Sequence, residues 1–224
     1  MNNWNGIGSL FIACIELVLL VNIFIFSDKN KSNNLAKILI VVLIIYQAME
    51  FLICGLNYNS PVFVYFAFSD ISLLPPLGLY FVLVYYDKLK NYHKLIFIPA
   101  LFFIVYYATI IPVFNIKLCT PFYAVYYYPL GDLYGFFYYV PIIISMWLMF
   151  TDMRNKNSNC RKLSRILLSA YVLICLPVII AFILAFSQQT VLLNSIVSVM
   201  CKFALLLAFA LTYFTLLNKN KIDI

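Results

Sequence analysis

Seven apolar runs, each close to the length of a bilayer crossing, leave this chain few ways to fold. A helix needs roughly 20 apolar residues to cross the hydrocarbon core. Runs of that kind occupy approximately residues 7–26, 36–56, 61–86, 95–114, 134–150, 166–187 and 191–217. The segments between them are short, so the expectation is an all-α, seven-span transmembrane helix bundle. It forms a single domain over 1–224 with no appended soluble unit. A soluble reading fails on composition: 65% of the residues are hydrophobic and 10% charged, where soluble domains carry about 25% charged residues. In water such a chain exposes more apolar surface than a monomer tolerates.

The charges that remain orient the bundle. Lys29, Lys31 and Lys37 follow the first run, and Lys88, Lys90 and Lys94 the third. Arg154, Lys156, Arg161, Lys162 and Arg165 follow the fifth, and Lys219 and Lys221 the last. With seven spans all of these lie on one side, against Lys117 on the other. The positive-inside rule makes the basic side cytoplasmic, with the N-terminus outside, the C-terminus in the cytoplasm and a plasma or cell membrane as location. The net charge of +7 is thereby read as topology, and a nucleic-acid partner is not expected. The tail Met1–Trp4 has no Lys or Arg ahead of the first run. The basic region of a secretory signal is missing, and that run is expected to be a retained span.

Four ionisable residues fall inside the runs: Glu16, Glu50, Asp70 and Lys202. Each costs at least about 2.5–3.5 kcal/mol at a helix centre if left alone, so they are expected to face the interior and find partners. At 1.5 Å rise per residue all four fall in one slab of the outer half-membrane, and a shared cluster is geometrically possible. Lys202 is expected to pair with one carboxylate. Three acids and one base cannot all be charged there, so at least one carboxyl is expected to hold a proton. Gln47 stands three residues before Glu50 and shares its helix face. Tyr46, Asn57, Ser69 and Ser72 are polar neighbours, and Asn194, Ser195 and Ser198 put further polar groups near Lys202. Such a cluster serves either a solute or proton pathway or helix packing alone.

Prolines interrupt several runs: Pro75, Pro76, Pro99, Pro112, Pro141 and Pro177. Proline removes a backbone donor and kinks or breaks a helix, and Pro75-Pro76 with Gly78 beyond it is the strongest candidate break. The stretch 115–133 is the one sizeable outer loop, rich in tyrosine at Tyr123, Tyr126, Tyr127 and Tyr128. It reads either as an aromatic belt or as a lid over an outward-facing pocket.

The six cysteines show no metal spacing. Cys14, Cys175 and Cys201 lie within runs and Cys160 on the basic side, while Cys54 and Cys119 stand where an outer disulfide is compatible with the compartment. His93 sits in a basic loop and is expected to be solvated. There is no HExxH, G-x-S-x-G or P-loop, so a membrane hydrolase would have to run on carboxylates alone. No metal or cofactor is expected, and the oligomeric state is left open.

Gln47-Ala48-Met49-Glu50 resembles the Q-x-x-E-G helix of a group of small uncharacterised multi-span membrane proteins. Pro75-Pro76-Leu77 looks like that group's W-P or Q-P pair. The stretch Ser198-Val199-Met200-Cys201-Lys202-Phe203-Ala204 is similar to its S-x-W-C-x-x-A. The chain departs from the pattern at Phe51, Pro75, Met200 and Lys202. This resemblance implies the seven-span fold and no known activity. The layout also resembles microbial rhodopsins, in which Lys202 would bear retinal and Asp70 be its counter-ion. Those proteins carry a carboxylate four residues before the lysine, where this chain has Ser198, and tryptophans beside retinal, where Trp147 is the Trp within a run. The function expected from the residues is moving or sensing a small solute or proton in an outward-leaning polar cavity lined by Gln47, Glu50, Asp70 and Lys202, with Glu16 contributing. The rival is a receptor-like or scaffold protein that transports nothing.

Overall fold

A computed structural model describes residues 5–58, 60–121, 124–153, 158–186 and 190–218, with backbone alone at 132, 158–160, 178–179, 181–186 and 190–201. Seven α-helices account for most of the chain: α1 (Ile7–Phe26), α2 (Lys31–Cys54), α3 (Pro61–Tyr85), α4 (Ile98–Thr109), α5 (Gly131–Met153), α6 (Ser158–Phe186) and α7 (Thr190–Leu217). Five helical stretches are long and apolar enough to cross a membrane, the fourth running Asn91–Thr109. Their outward faces are apolar. Phe11, Phe24, Phe102 and Phe136 are each about 60% exposed or more, a density of apolar surface that suits lipid and not water.

Proline acts in two ways. In the fourth stretch a continuous helix over 95–114 is not what forms. A 3-10 segment (Asn91–Phe97) leads into α4, with Pro99 in its first turn, and a second 3-10 turn (Ile111–Val113) follows it. Proline fits the first helical turn, where its missing N–H is not needed, and it disfavours helix in the residue before it. Pro112 therefore closes α4 where Pro99 opens it. Pro75 and Pro76 behave differently: α3 runs unbroken through both, so the expected helix break is corrected. The carbonyls of Ile71 and Ser72 lose their donors there, yet packing on both sides buries the two prolines. Gly78, one turn on, lets Tyr171 of α6 approach so closely that an added Cβ would lie 2.6 Å from its hydroxyl. That hydroxyl is held by Ser145 in a buried ring with little room to move. Gly78→Ala is expected to lower stability by about 1–3 kcal/mol through overpacking, read as a lower midpoint of thermal unfolding in detergent.

The stretch expected as an outer loop is a two-stranded hairpin, the one departure from an all-α fold among the described residues. Strands β1 (Asn115–Cys119) and β2 (Ala124–Tyr127) pair antiparallel, Asn115 opposite Tyr127 and Cys119 opposite Ala124, with a bulge between Ile116 and Leu118. Its turn is tied to the start of α1: Gly6 N–H donates to Thr120 O at 3.0 Å and Gly8 N–H to Pro121 O at 2.9 Å. A disulfide joins Cys119 to Cys54 at the end of α2. Tyr123 lies outside the described residues. Tyr126 and Tyr128 pack into an aromatic cluster around Phe68, Phe103, Tyr107 and Tyr134, so they brace the hairpin against α3, α4 and α5.

The opposite end is held by polar contacts. Asn33 is fully buried and donates to Asp28 O at 3.0 Å, while its Oδ1 accepts from Asn218 Nδ2 at 2.9 Å. The first turn of α2 thus grips the last turn of α7, satisfying helix-end groups that packing would strand. Lys88 pairs with Asp152 at 2.8 Å, and Tyr86 donates to Ser164 at 2.6 Å. Several basic residues expected in loops belong to helices instead: Lys31 to α2, and Arg161, Lys162 and Arg165 to α6. Helices extend past the apolar run because their backbone bonds are as well satisfied in water as in lipid. His93 is no free loop residue either, because its Nδ1 accepts the Lys90 N–H at 2.9 Å and starts the 3-10 segment. Arg154, Lys156, Lys219 and Lys221 lie outside the described residues.

Candidate functional site

Lys202 on α7 is the centre of the site. An ammonium has three donors, and each finds one acceptor: Ser9 Oγ at 2.8 Å, Gln47 Oε1 at 2.9 Å and Glu50 Oε2 at 2.8 Å. Gln47 and Glu50 come from adjacent turns of α2, and Ser9 from the start of α1. The second carboxylate oxygen of Glu50 accepts the backbone N–H of Ala124, the first residue of β2, at 3.0 Å. The Ser9 hydroxyl also lies within hydrogen-bonding reach of Glu50. Three helices and the hairpin therefore meet in one ionic knot.

The knot is dry. Ser9 and Gln47 are 0% exposed and Glu50 2%, with the Lys202 side chain at 13%. It sits on α2 where the two apolar clusters meet, Leu43 belonging to one and Tyr46 and Ile53 to the other. Desolvating two charges is costly, and only good geometry with every donor satisfied repays it. The geometry here meets that condition. Among the described residues these side chains are spent on one another and on the hairpin backbone. A groove of about 330 Å³ lies beyond the disulfide between the start of α3 and β1, lined by Asn57, Val64, Phe114 and Lys117 among others.

Asp70 does not join the knot. Among the described residues no hydrogen bond or ion pair links it to Lys202, and its Oδ2 is buried without a partner. The reason is helix placement. α3 packs mainly on α2, α4 and α5, and it meets α7 through Phe81 and Tyr85 against Phe214, about three turns from Asp70. Its polar neighbours turn back on their own helix: Ser69 donates to Tyr65 O, and Ser72 to Phe68 O while also bonding Tyr134. Side chains of Asn194, Ser195, Ser198, Cys160 and Cys201 lie outside the described residues.

Glu16 stands close by on α1. The buried positions of that helix are Ser9, Ala13, Glu16, Leu20 and Ile23, a single stripe at helical spacing. Glu16 is 0% exposed, neither of its oxygens has a hydrogen-bond partner among the described residues, and the charge of Lys202 reaches it.

Two members of the site were absent from the sequence reading. Ser9 stands seven residues before Glu16, on the same face, so helical spacing does point to it. Ala124 contributes only a backbone N–H, and no side chain announces that. Trp147 is 65% exposed on α5 and so does not line the Lys202 site as retinal-flanking tryptophans would. Cys14 and Cys175 are free thiols. Among the described residues no group of three His, Cys, Asp or Glu side chains is placed to hold a metal. No family model, curated protein or solved structure matches the chain, so what the site does is argued from its own geometry.

Proposed function

We propose that this is a seven-span integral membrane protein, N-terminus outside and C-terminus in the cytoplasm, which moves or senses a proton or small solute through the Lys202–Glu50 site. The observation that carries the reading is the buried pair itself, shared by α1, α2, α7 and the hairpin. Intramembrane ionisable groups are costly and mark pathways or switches by default. The basic residues gathered at the end opposite the hairpin support the orientation by the positive-inside rule, and they would attract anionic lipid. The resemblance of the Q-x-x-E helix to other multi-span proteins supports the same layout. With the hairpin seated on Glu50, any movement of solute requires that cover to lift.

The test is proton and small-ion flux into liposomes, followed with a pH dye. Glu50→Gln is expected to bring flux down to that of empty liposomes, and Asp70→Asn, outside the knot, to leave it intact. Flux unaffected by Glu50→Gln in folded protein would remove the site from the pathway. The second reading is a receptor-like protein that transports nothing. It is favoured by the disulfide and the two hydrogen bonds that seat the hairpin over the knot, and no flux under any gradient would select it.

A further inference from the structure

We propose that Glu16 is a proton-binding site, and that Lys202 is a switch whose ammonium pairs with Glu50 in the closed state and turns to Glu16 when that proton leaves. This deepens the reading of the Lys202–Glu50 pair as the working site and rests on it.

The argument begins with charge. Among the described side chains Lys202 is the cation of the buried interior, and Glu50 already pairs with it at 2.8 Å. Glu16 is equally buried but, among the described residues, accepts no hydrogen bond at either oxygen. An ionised carboxylate without hydrogen bonds or partner is far too costly in such a place, and the group neutralises instead. A neutral acid there is tolerable, so the closed state stores one proton on Glu16.

Position then supplies the switch. Ser9 and Glu16 share the buried stripe of α1, about 10 Å apart along the axis. Helical side chains lean toward the N-terminus, so Glu16 leans back toward Ser9, where the Lys202 ammonium is bonded. α2 and α7, which pack on α1, carry Lys31, Lys37, Tyr46, Glu50, Lys202 and Tyr213 among the described side chains. The hairpin adds Lys117, Tyr126 and Tyr127. Of all these, Lys202 is the group whose charge acts on Glu16. A lysine on a flexible four-carbon stem can exchange one carboxylate for the other. When it does, Glu16 becomes the ionised partner and Glu50 is left held by the Ala124 N–H and Ser9. The proton given up by Glu16 passes to solvent or to Glu50, so charge is conserved inside the bundle when Glu50 takes it.

The experiment uses the full chain in liposomes and reads the infrared carbonyl band of a protonated carboxylic acid, which an ionised carboxylate lacks. The natural chain is expected to show the band near neutral pH and to lose it as pH rises. Glu16→Gln should remove the intensity assigned to it, and Asp70→Asn should leave that intensity in place. Glu50→Gln is the discriminating variant. Glu50 is ionised in the pair, so its replacement removes no such band directly. Yet Lys202, deprived of its partner, should turn to Glu16 and make the Glu16 band fall at neutral pH. Retention of the Cys54–Cys119 disulfide and helical circular dichroism report folding, and the titration of the natural chain needs no variant. A natural chain without the band, or a band that Asp70→Asn removes and Glu16→Gln does not, would overturn the proton site. A band unchanged in Glu50→Gln would overturn the switch. Flux without the Glu16 band would sink Glu16 alone, whereas the band without flux would leave Glu16 a proton site and sink translocation.

Discussion

Lys202→Met is expected to destabilise the protein by about 3–5 kcal/mol, the cost of leaving one member of a buried ion pair behind. Methionine keeps much of the stem volume, so the loss isolates the charge and its bonds. Glu50 would then stand 2% exposed with its cation gone, while Ser9 and Gln47 would each lose a donor. Both are fully buried, and a buried polar group left without its partner carries its full desolvation cost. Reversible unfolding in mixed micelles measures the effect. The companion variant is Lys202→Met with Glu50→Leu, which removes both charges together. Apolar replacement of a whole buried pair is often neutral or stabilising, so the double variant is expected to recover most of the loss. The cycle separates the pair from its surroundings. A single-variant cost under about 1 kcal/mol would mean that the pair behaves like a solvated surface bridge, and the dry knot would have to be abandoned.

Removing the disulfide comes next in size. Cys54 and Cys119 are 65 residues apart in sequence. Closing a loop of that length constrains the unfolded chain by about 4 kcal/mol in the chain-entropy model. Cys54→Ser with Cys119→Ser is expected to approach that loss, less whatever constraint the membrane already places on the unfolded helices. The consequence is local as well as global. The hairpin would keep the Gly6 and Gly8 hydrogen bonds to its turn and its aromatic packing, but it would lose the covalent tie to α2. Ala124 N–H then leaves Glu50 more readily, and hydrogen exchange at Ala124 should accelerate with it. Unfolding curves under oxidising and reducing conditions, with exchange mass spectrometry of the segment containing 124–127, check both effects. An unchanged exchange rate would show that the aromatic cluster and the bonds from Gly6 and Gly8 seat the hairpin without the disulfide.

The two predictions rest on features that were unequally legible in the sequence. Lys202 and Glu50 stood out because a charge inside an apolar run is conspicuous against its neighbours. Gln47 followed from its place three residues before Glu50. Glu16 and Asp70 looked equivalent on the same grounds, since depth along a helix is computable from residue count. Rotation and neighbour choice are not. Glu16 came near the knot because α1 packs on α2 and α7, and Asp70 stayed away because α3 packs chiefly elsewhere. The hairpin was read as a loop because strands of five and four residues carry too short an alternation to signal themselves. Pro75 and Pro76 were read as a break because proline's local penalty is visible in a sequence and the packing that outweighs it is not.

By itself, then, the sequence determined that the chain makes long apolar helices with a few costly charges inside them. Those properties are local: they depend on runs of side chains and on the hydrogen bonds each helix makes within itself. Only the tertiary structure decided which charges meet, that Ser9 and a backbone N–H from β2 complete the Lys202 site, and that the site is buried. Each of these depends on contacts between residues far apart in the chain, as Lys202 is from Ser9. Such contacts are set by how seven helices and a hairpin fill space together, and no single segment encodes that.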